Sequence, residues 1–127
     1  MTQEEKELLL KDLCARLPYG VICKDTNINV TGTLSQIGLH YDMCVLDKDN
    51  GDSESCYILN CKPYLFPLSS MTEEQSKIYH ELIGGMFGTS ALINFEVLED
   101  FFHKNHLDYK GLIKKNLAID ATNKNIY

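Results

Sequence analysis

The chain has 127 residues, 44% of them hydrophobic, and a formal net charge of −6. That length suits one compact core and excludes two large ones, and no apolar run approaches the ~20 residues of a membrane-spanning helix. Residues 1–100 carry 7 basic and 16 acidic side chains, net −9, and residues 101–127 carry 5 and 2, net +3, so the acidic body argues against non-specific binding to a phosphate backbone.

The first residues, MTQEEKELLLKDL, are acidic where a secretory leader is basic. The five cysteines, Cys14, Cys23, Cys44, Cys56 and Cys61, are odd in number and suggest no disulfide framework. Both features point to a cytoplasmic protein with reduced thiols, several of them acting as small core hydrophobes.

Residues 3–16 read as an amphipathic helix. Thr2 and Glu5 have capping-box spacing. Leu9, Leu10, Leu13, Cys14 and Leu17 form the expected apolar stripe, with Glu4, Glu5, Lys11 and Asp12 on the wet side. Pro18 ends the helix. From 19 to 61 the period becomes two. Tyr19, Val21 and Cys23 belong to a first strand, and Ile28, Val30 and Leu34 to a second, with Gly32 as a candidate bulge or bend. Asp25-Thr26-Asn27 turns between them. Tyr41–Leu46 and Cys56–Leu59 are further strands, joined by DKDNGDSE, whose Asn50-Gly51 pair suits a hairpin turn. Short connections make this an antiparallel meander, which could close as a small SH3-like barrel with Tyr64–Phe66 as a fifth strand.

In KPYLFPLSSMTEEQ, 62–75, Pro63 and Pro67 favour extended backbone, and Ser70 stands three residues before Glu73 as a helix start. Residues 71–83 read as a helix that buries Met71, Ile78, Tyr79, Leu82 and Ile83, with Gly84-Gly85 ending it. GGMFGTSA, 84–91, reads as a loop. Asn94 caps a third helix to about Lys104, anchored by Phe95, Leu98, Phe101 and Phe102. Asp108 caps a fourth through Lys115. The expected fold is α+β in one domain: N-terminal helix (1–18), β-meander or SH3-like barrel (19–66), a part with three helices (70–119) and a frayed tail (120–127). The expected core holds Leu10, Leu13, Val21, Val30, Leu34, Val45, Ile58, Ile78, Leu82, Leu98 and Phe101.

Three segments carry a resemblance: KELLLKDLCARLPYGV (6–21), KPYLFPLSSMTEEQ (62–75) and FFHKNHLDYKGLIKKNLAIDA (101–121). They resemble an uncharacterised family of small proteins from gut Bacteroidales genomes and their phages or mobile elements. The resemblance implies a cytoplasmic bacterial or phage setting. It carries over no catalytic or binding residue.

Cys56-x4-Cys61 and His103-x2-His106 supply metal-ligand types, and C-x4-C is within the range of structural zinc sites. On one continuous strand, however, positions 56 and 61 face opposite sides, so the expectation is no metal and no cofactor. No cysteine sits in a nucleophile signature and no serine in G-x-S-x-G, so no catalytic residue is assigned and the chain is read as a non-enzyme, with a cysteine-dependent activity the remotest alternative. GGMFGTS has the glycines of a phosphate loop but follows a helix and lacks its lysine. Asp47, Asp49, Asp52 and Glu54 surround a hairpin tip without the twelfth-position glutamate of a calcium loop.

Two surfaces remain. Lys104, Lys110, Lys114 and Lys115 on a helix–turn–helix would face nucleic acid, although Arg16 is the only arginine for base contacts. Tyr64, Leu65 and Phe66 put three large apolar side chains on an extended stretch between prolines, either self-buried or forming a protein-binding edge. The sequence favours self-burial there. The functional expectation is a small interaction or adaptor module with an unknown protein partner and no membrane. Nucleic-acid binding is the alternative.

Overall fold

A computed structural model describes residues 1–38, 42–87 and 95–127, the side chains of 85–87 aside. The first helix, α1 (Gln3–Arg16), starts with the anticipated capping box. The Glu5 amide donates to Thr2 Oγ1 at 3.1 Å, and the Thr2 amide donates to Glu5 Oε1 at 2.9 Å. One tight 3-10 turn through Pro18 and a left-handed Gly20 (φ 68°) then send the chain into the sheet. The buried face of α1 is Leu9, Asp12, Leu13 and Arg16. Leu10 and Leu17 are half-buried and Cys14 is exposed, so the helix is rotated from the expected stripe. The reason is an ion pair. Arg16 Nε donates to Asp12 Oδ2 at 2.8 Å, one turn apart, and Arg16 Nη2 reaches the Leu107 carbonyl at 2.6 Å.

Four antiparallel strands form in the expected order but with shifted bounds: β1 (Ile22–Asp25), β2 (Val30–Gly38), β3 (Met43–Asp47) and β4 (Ser53–Tyr57). Tyr19, Ile58 and Leu59 lie in 3-10 turns instead of strands, and Tyr41 lies outside the described residues. Asp25 Oδ1 accepts from the Asn27 amide and sets the first turn, which leaves Ile28 exposed. Gly51 (φ 90°) turns the second hairpin, closed by the Lys48 amide on the Asp52 carbonyl at 2.8 Å. The bulge in β2 lies between Leu34 and Gln36 rather than at Gly32. Gly32 has a different role: a Cβ there would stand 2.8 Å from the Asp47 carbonyl oxygen.

The fifth strand, β5 (Cys61–Pro67), contains Tyr64–Phe66 and pairs with β1, giving the order β4-β3-β2-β1-β5. In a flat sheet β3 and β5 would lie three spacings apart, about 14 Å. Yet the sulfurs of Cys44 on β3, Cys56 on β4 and Cys61 on β5 all lie within 4.8 Å of one another. The sheet is therefore strongly curled around its own interior.

The helical part departs furthest from expectation. Helix α2 (Glu73–Phe87) is capped by Thr72 and Gln75, not by Ser70 and Glu73. Ser70 Oγ instead donates to the Pro67 carbonyl at 2.7 Å. The helix runs through Gly84-Gly85, so the diglycine does not end it; residues 88–91 of the expected loop and the cap Asn94 lie outside the described residues. Helix α3 (Phe95–Lys104) matches its expectation, although Phe95 is exposed. The fourth helix is absent. Residues 107–120 form β6 (Leu107–Asp108), a run of turns, and β7 (Ile119–Asp120). Asp108 does cap, but it caps turns, accepting from the amides of Leu112 and Ile113 at 2.8 and 2.9 Å. Two α-helices, not three, follow the sheet among the described residues.

Both short strands pair with β5 in parallel, Phe66 opposite Leu107 and Tyr64 opposite Ile119. They place β5 between two apolar clusters. Leu65 joins the interior of the curled sheet with Leu9, Leu13, Val21, Leu34 and Leu46. Phe66 packs on the other side with Phe101, Phe102, Leu107 and Tyr79. The tail is tied down rather than frayed. The Ala121 amide donates to the Leu65 carbonyl, and the Tyr127 hydroxyl accepts from the Ile22 amide at 2.9 Å while donating to the Tyr64 carbonyl at 2.8 Å.

Of the expected core, Leu13, Val21, Leu34, Ile58 and Phe101 are buried, while Leu10, Val30, Val45, Leu82 and Leu98 are half-buried. Ile78 is 41% exposed. On β3 the inward positions are Cys44 and Leu46, one residue out of phase with Val45.

Candidate functional site

Strand alternation aims one side chain in two at the sheet interior. On β1 the inward positions are Cys23 and Asp25, on β3 Cys44 and Leu46, and on β4 Cys56. A single 3-10 turn, Ile58–Asn60, separates Cys56 from Cys61. That turn breaks the continuous strand on which positions 56 and 61 would oppose each other, and both point inward. Cys44 and Cys56 are direct cross-strand partners. The result is a group of thiols from three strands, Cys44, Cys56 and Cys61, with their sulfurs mutually close, and Cys23 of β1 beside Cys61. All four are buried, whereas Cys14 lies outside on α1.

Their protonation follows from this packing. For Cys44 the hydrogen bond with Cys56 pulls the thiol acidity one way. Its contact with Cys61 and its burial outweigh that and push the pKa up to about 12. Cys56 is raised first by its hydrogen bond with Cys44, and Cys61 first by that with Cys23. These thiols are neutral at ordinary pH, which is the opposite of an activated nucleophile. What they offer chemically is a set of soft sulfur donors around one point.

A second polar group lies between α1 and the segment after α3. The Arg16 guanidinium carbon stands 5.9 Å from the centre of the Tyr109 ring. Tyr109 Oη is 2.8 Å from His103 Nε2. His103 therefore joins this network, His106 stacks on Tyr127, and neither stands in the thiol group. Burial lowers both imidazole pKa values, with Arg16 adding to the effect, and His106 reaches about 4. Asp12 Oδ1, Arg16 Nη1 and His106 Nδ1 have no hydrogen-bond partner.

The expected surfaces resolve as follows. The stretch Tyr64, Leu65, Phe66 is paired by β6 and β7; β1 pairs with β5 only at 61–63, and beyond it the Tyr127 hydroxyl bridges the Ile22 amide and the Tyr64 carbonyl. Tyr64 and Leu65 are buried and Phe66 is half-buried. Lys104 ends α3 and lines a hollow with Tyr19, beyond the last turn of α1. Lys115 acts on Glu5 in the first turn of α1, a helix about 21 Å long. Lys110 lies 5.5 Å from the Tyr109 ring centre, and Lys114 lines a different hollow with Pro67 and Leu68. The four lysines are dispersed, and no helix–turn–helix presents them. At the hairpin tip, Asp47 accepts from Ser53 Oγ and Glu54 pairs with Lys48 at 3.2 Å. A hollow of about 680 Å³ over Met71–Glu81 is formed by one segment alone, so no second element converges on it.

The open edge is elsewhere. Among the described residues β4 has β3 as its one strand neighbour. Tyr57 at its end is 55% exposed, and Leu59 in the following turn is 59% exposed. Sequence reading missed both this edge and the thiol group. The signal for the thiols was present as phase: Cys23 is in step with Val21, Cys44 with Leu46 and Cys56 with Ile58. No helix among the described residues is long and apolar enough to cross a membrane. No family model, curated protein or solved structure matches the chain.

Proposed function

We propose that the chain is a small interaction module that works by protein contact, in the cytoplasm of a Bacteroidales host or an element it carries. In this reading the curled sheet forms a partly open SH3-like barrel in which β4 remains an edge. The strand order β4-β3-β2-β1-β5 and the 3-10 turn before β5 support that shape.

The observation that carries the reading is the open edge of β4 beside exposed Tyr57 and Leu59. Unpaired backbone groups of an edge strand accept an added strand, and neighbouring apolar side chains anchor it. The other end of the sheet is already used, because β6 and β7 occupy β5. The partner segment is an extended peptide with an apolar residue to meet Tyr57. The dispersed lysines weigh against the nucleic-acid alternative, which needs a contiguous basic face.

The test is site-specific photocrosslinking in native lysate, with the photoreactive residue at 57 in one protein and at 110 in another. A defined protein crosslinked from 57 and not from 110, and lost when Leu59→Glu is added at unchanged melting temperature, is the expected result. A nuclease-sensitive adduct from 110, or crosslinks from neither position, sinks this reading.

A further inference from the structure

We propose that Cys44, Cys56 and Cys61 form a structural zinc site inside the curled sheet, with the Cys23 sulfur as fourth ligand. The three sulfurs lie within 4.8 Å of one another. A tetrahedral zinc with Zn–S bonds of about 2.3 Å sets its sulfurs about 3.8 Å apart. Contraction of about 1 Å or less closes the set around an ion, a shift that side-chain rotation supplies. Cys23 already touches Cys61, so its sulfur stands at the rim of the same group.

Packing explains the burial of each thiol as a small hydrophobe, but not why their sulfurs converge. A small apolar side chain in a strand core is ordinarily Val or Ala, and the interior positions beside these cysteines are Val21, Leu34 and Leu46. Three of the five cysteines nevertheless meet at one point, from β3, β4 and β5, and a fourth, Cys23 of β1, is buried beside Cys61. Soft thiolates select Zn²⁺ or Cu(I) over hard cations. Four sulfurs in three dimensions suit the tetrahedral preference of Zn²⁺. Each thiol that ligates releases its proton to solvent, and no electron is transferred. The site is also closed. Sulfurs on residues at 0–1% exposure are reached by an ion only while the sheet forms. Loading is thus coupled to folding, as in small zinc domains. The ion would join β4 to β5, four places apart in the strand order, where no β-ladder connects them among the described residues.

The experiment refolds the reduced full chain from denaturant with and without Co²⁺, then adds Zn²⁺. The expected result is one Co²⁺ per chain with tetrahedral d–d bands and sulfur charge-transfer absorption. Zn²⁺ should bleach both, and the melting temperature should be higher with metal than without. Cys44→Val and Cys61→Val should abolish the bands, and Cys14→Ser should keep them. Val nearly conserves the volume, and far-ultraviolet circular dichroism of the two variants separates loss of metal from loss of fold. If either variant does not fold, Cys56→Ser provides the same reading, since it keeps the shape and weakens the ligand. Refolding to the same melting temperature with no absorption band overturns the site. So does uptake of Cu(I) alone, or a Cys44–Cys56 disulfide in a protein whose reduced form takes no metal.

Discussion

The rings of His106 and Tyr127 stack with centroids 3.8 Å apart and planes 11° apart. The last residue of the chain thereby covers an imidazole whose Nδ1 has no partner. Burial, and then Arg16, lower His106 to about 4, against about 6.5 in an unfolded chain. Between these values the unfolded state binds the proton and the folded state does not. Stability is therefore full above about pH 6.5 and is lost as pH falls toward about 4. The loss from His106 is on the order of 2 kcal/mol after discounting for the half-exposed ring. His103 is shifted in the same direction and adds to the slope. Urea unfolding across this window should show the decline, and His106→Phe should flatten part of it while keeping the stack. An unchanged slope in that variant would locate the pH dependence elsewhere.

The ion pair of Asp12 and Arg16 is wholly buried. Removing one partner strands a charge, whereas replacing both with apolar groups does not. Arg16→Met should cost about 3–5 kcal/mol. Asp12→Leu/Arg16→Met should recover most of that loss, and a double-mutant cycle by chemical denaturation measures it. Equal losses in the single and double variants would mean that the Arg16 bond to the Leu107 carbonyl, not the pair, holds α1 in place.

Leu13 and Phe101 sit in different apolar clusters. Leu13→Ala and Phe101→Ala should each cost about 2–5 kcal/mol. Ile78→Ala should stay within about 0.5 kcal/mol, because Ile78 is exposed. Denaturation midpoints that rank Ile78→Ala beside the other two would contradict the packing of α2.

Gly32 and Gly38 lie on the same strand in different surroundings. A Cβ on Gly32 meets the backbone of Asp47 at 2.8 Å, and one on Gly38 comes no closer than 3.6 Å to the Met43 carbonyl. Backbone atoms cannot rotate away as a side chain can. Gly32→Ala should therefore cost about 1–3 kcal/mol. Gly38→Ala should be close to neutral, and thermal melts of the pair compare them directly.

Local signals placed much of this chain correctly. Thr2 and Glu5 cap α1 because both partners lie within one turn. The order of strands β1 to β4 and their turns follows from period-two alternation and from Asp25 and Gly51, and the strand around Tyr64–Phe66 from the extended backbone that Pro63 and Pro67 favour. Chemistry confined to neighbouring residues is legible from those residues. Errors of phase arose where a local rule had two solutions. Thr72 with Gln75 and Ser70 with Glu73 have the same spacing, and the first pair caps.

What the sequence by itself determined, then, was the α+β class, the order of the first helix and five strands, and a supply of inward cysteines. Tertiary structure decided which of those elements meet. Residues 108–115 read as a helix capped by Asp108, yet they form turns between β6 and β7, which pair in parallel with β5, because that edge needed partners that only a distant segment could supply. Asp12 looks solvated by its charge, yet it is buried, because Arg16 four residues on carries a matching charge to the Leu107 carbonyl. Cys56 and Cys61 look opposed by strand arithmetic, yet one 3-10 turn and the curl of the sheet bring them together with Cys44. In each case the deciding partner lies far away in sequence or on the far side of a bend, where periodicity carries no information.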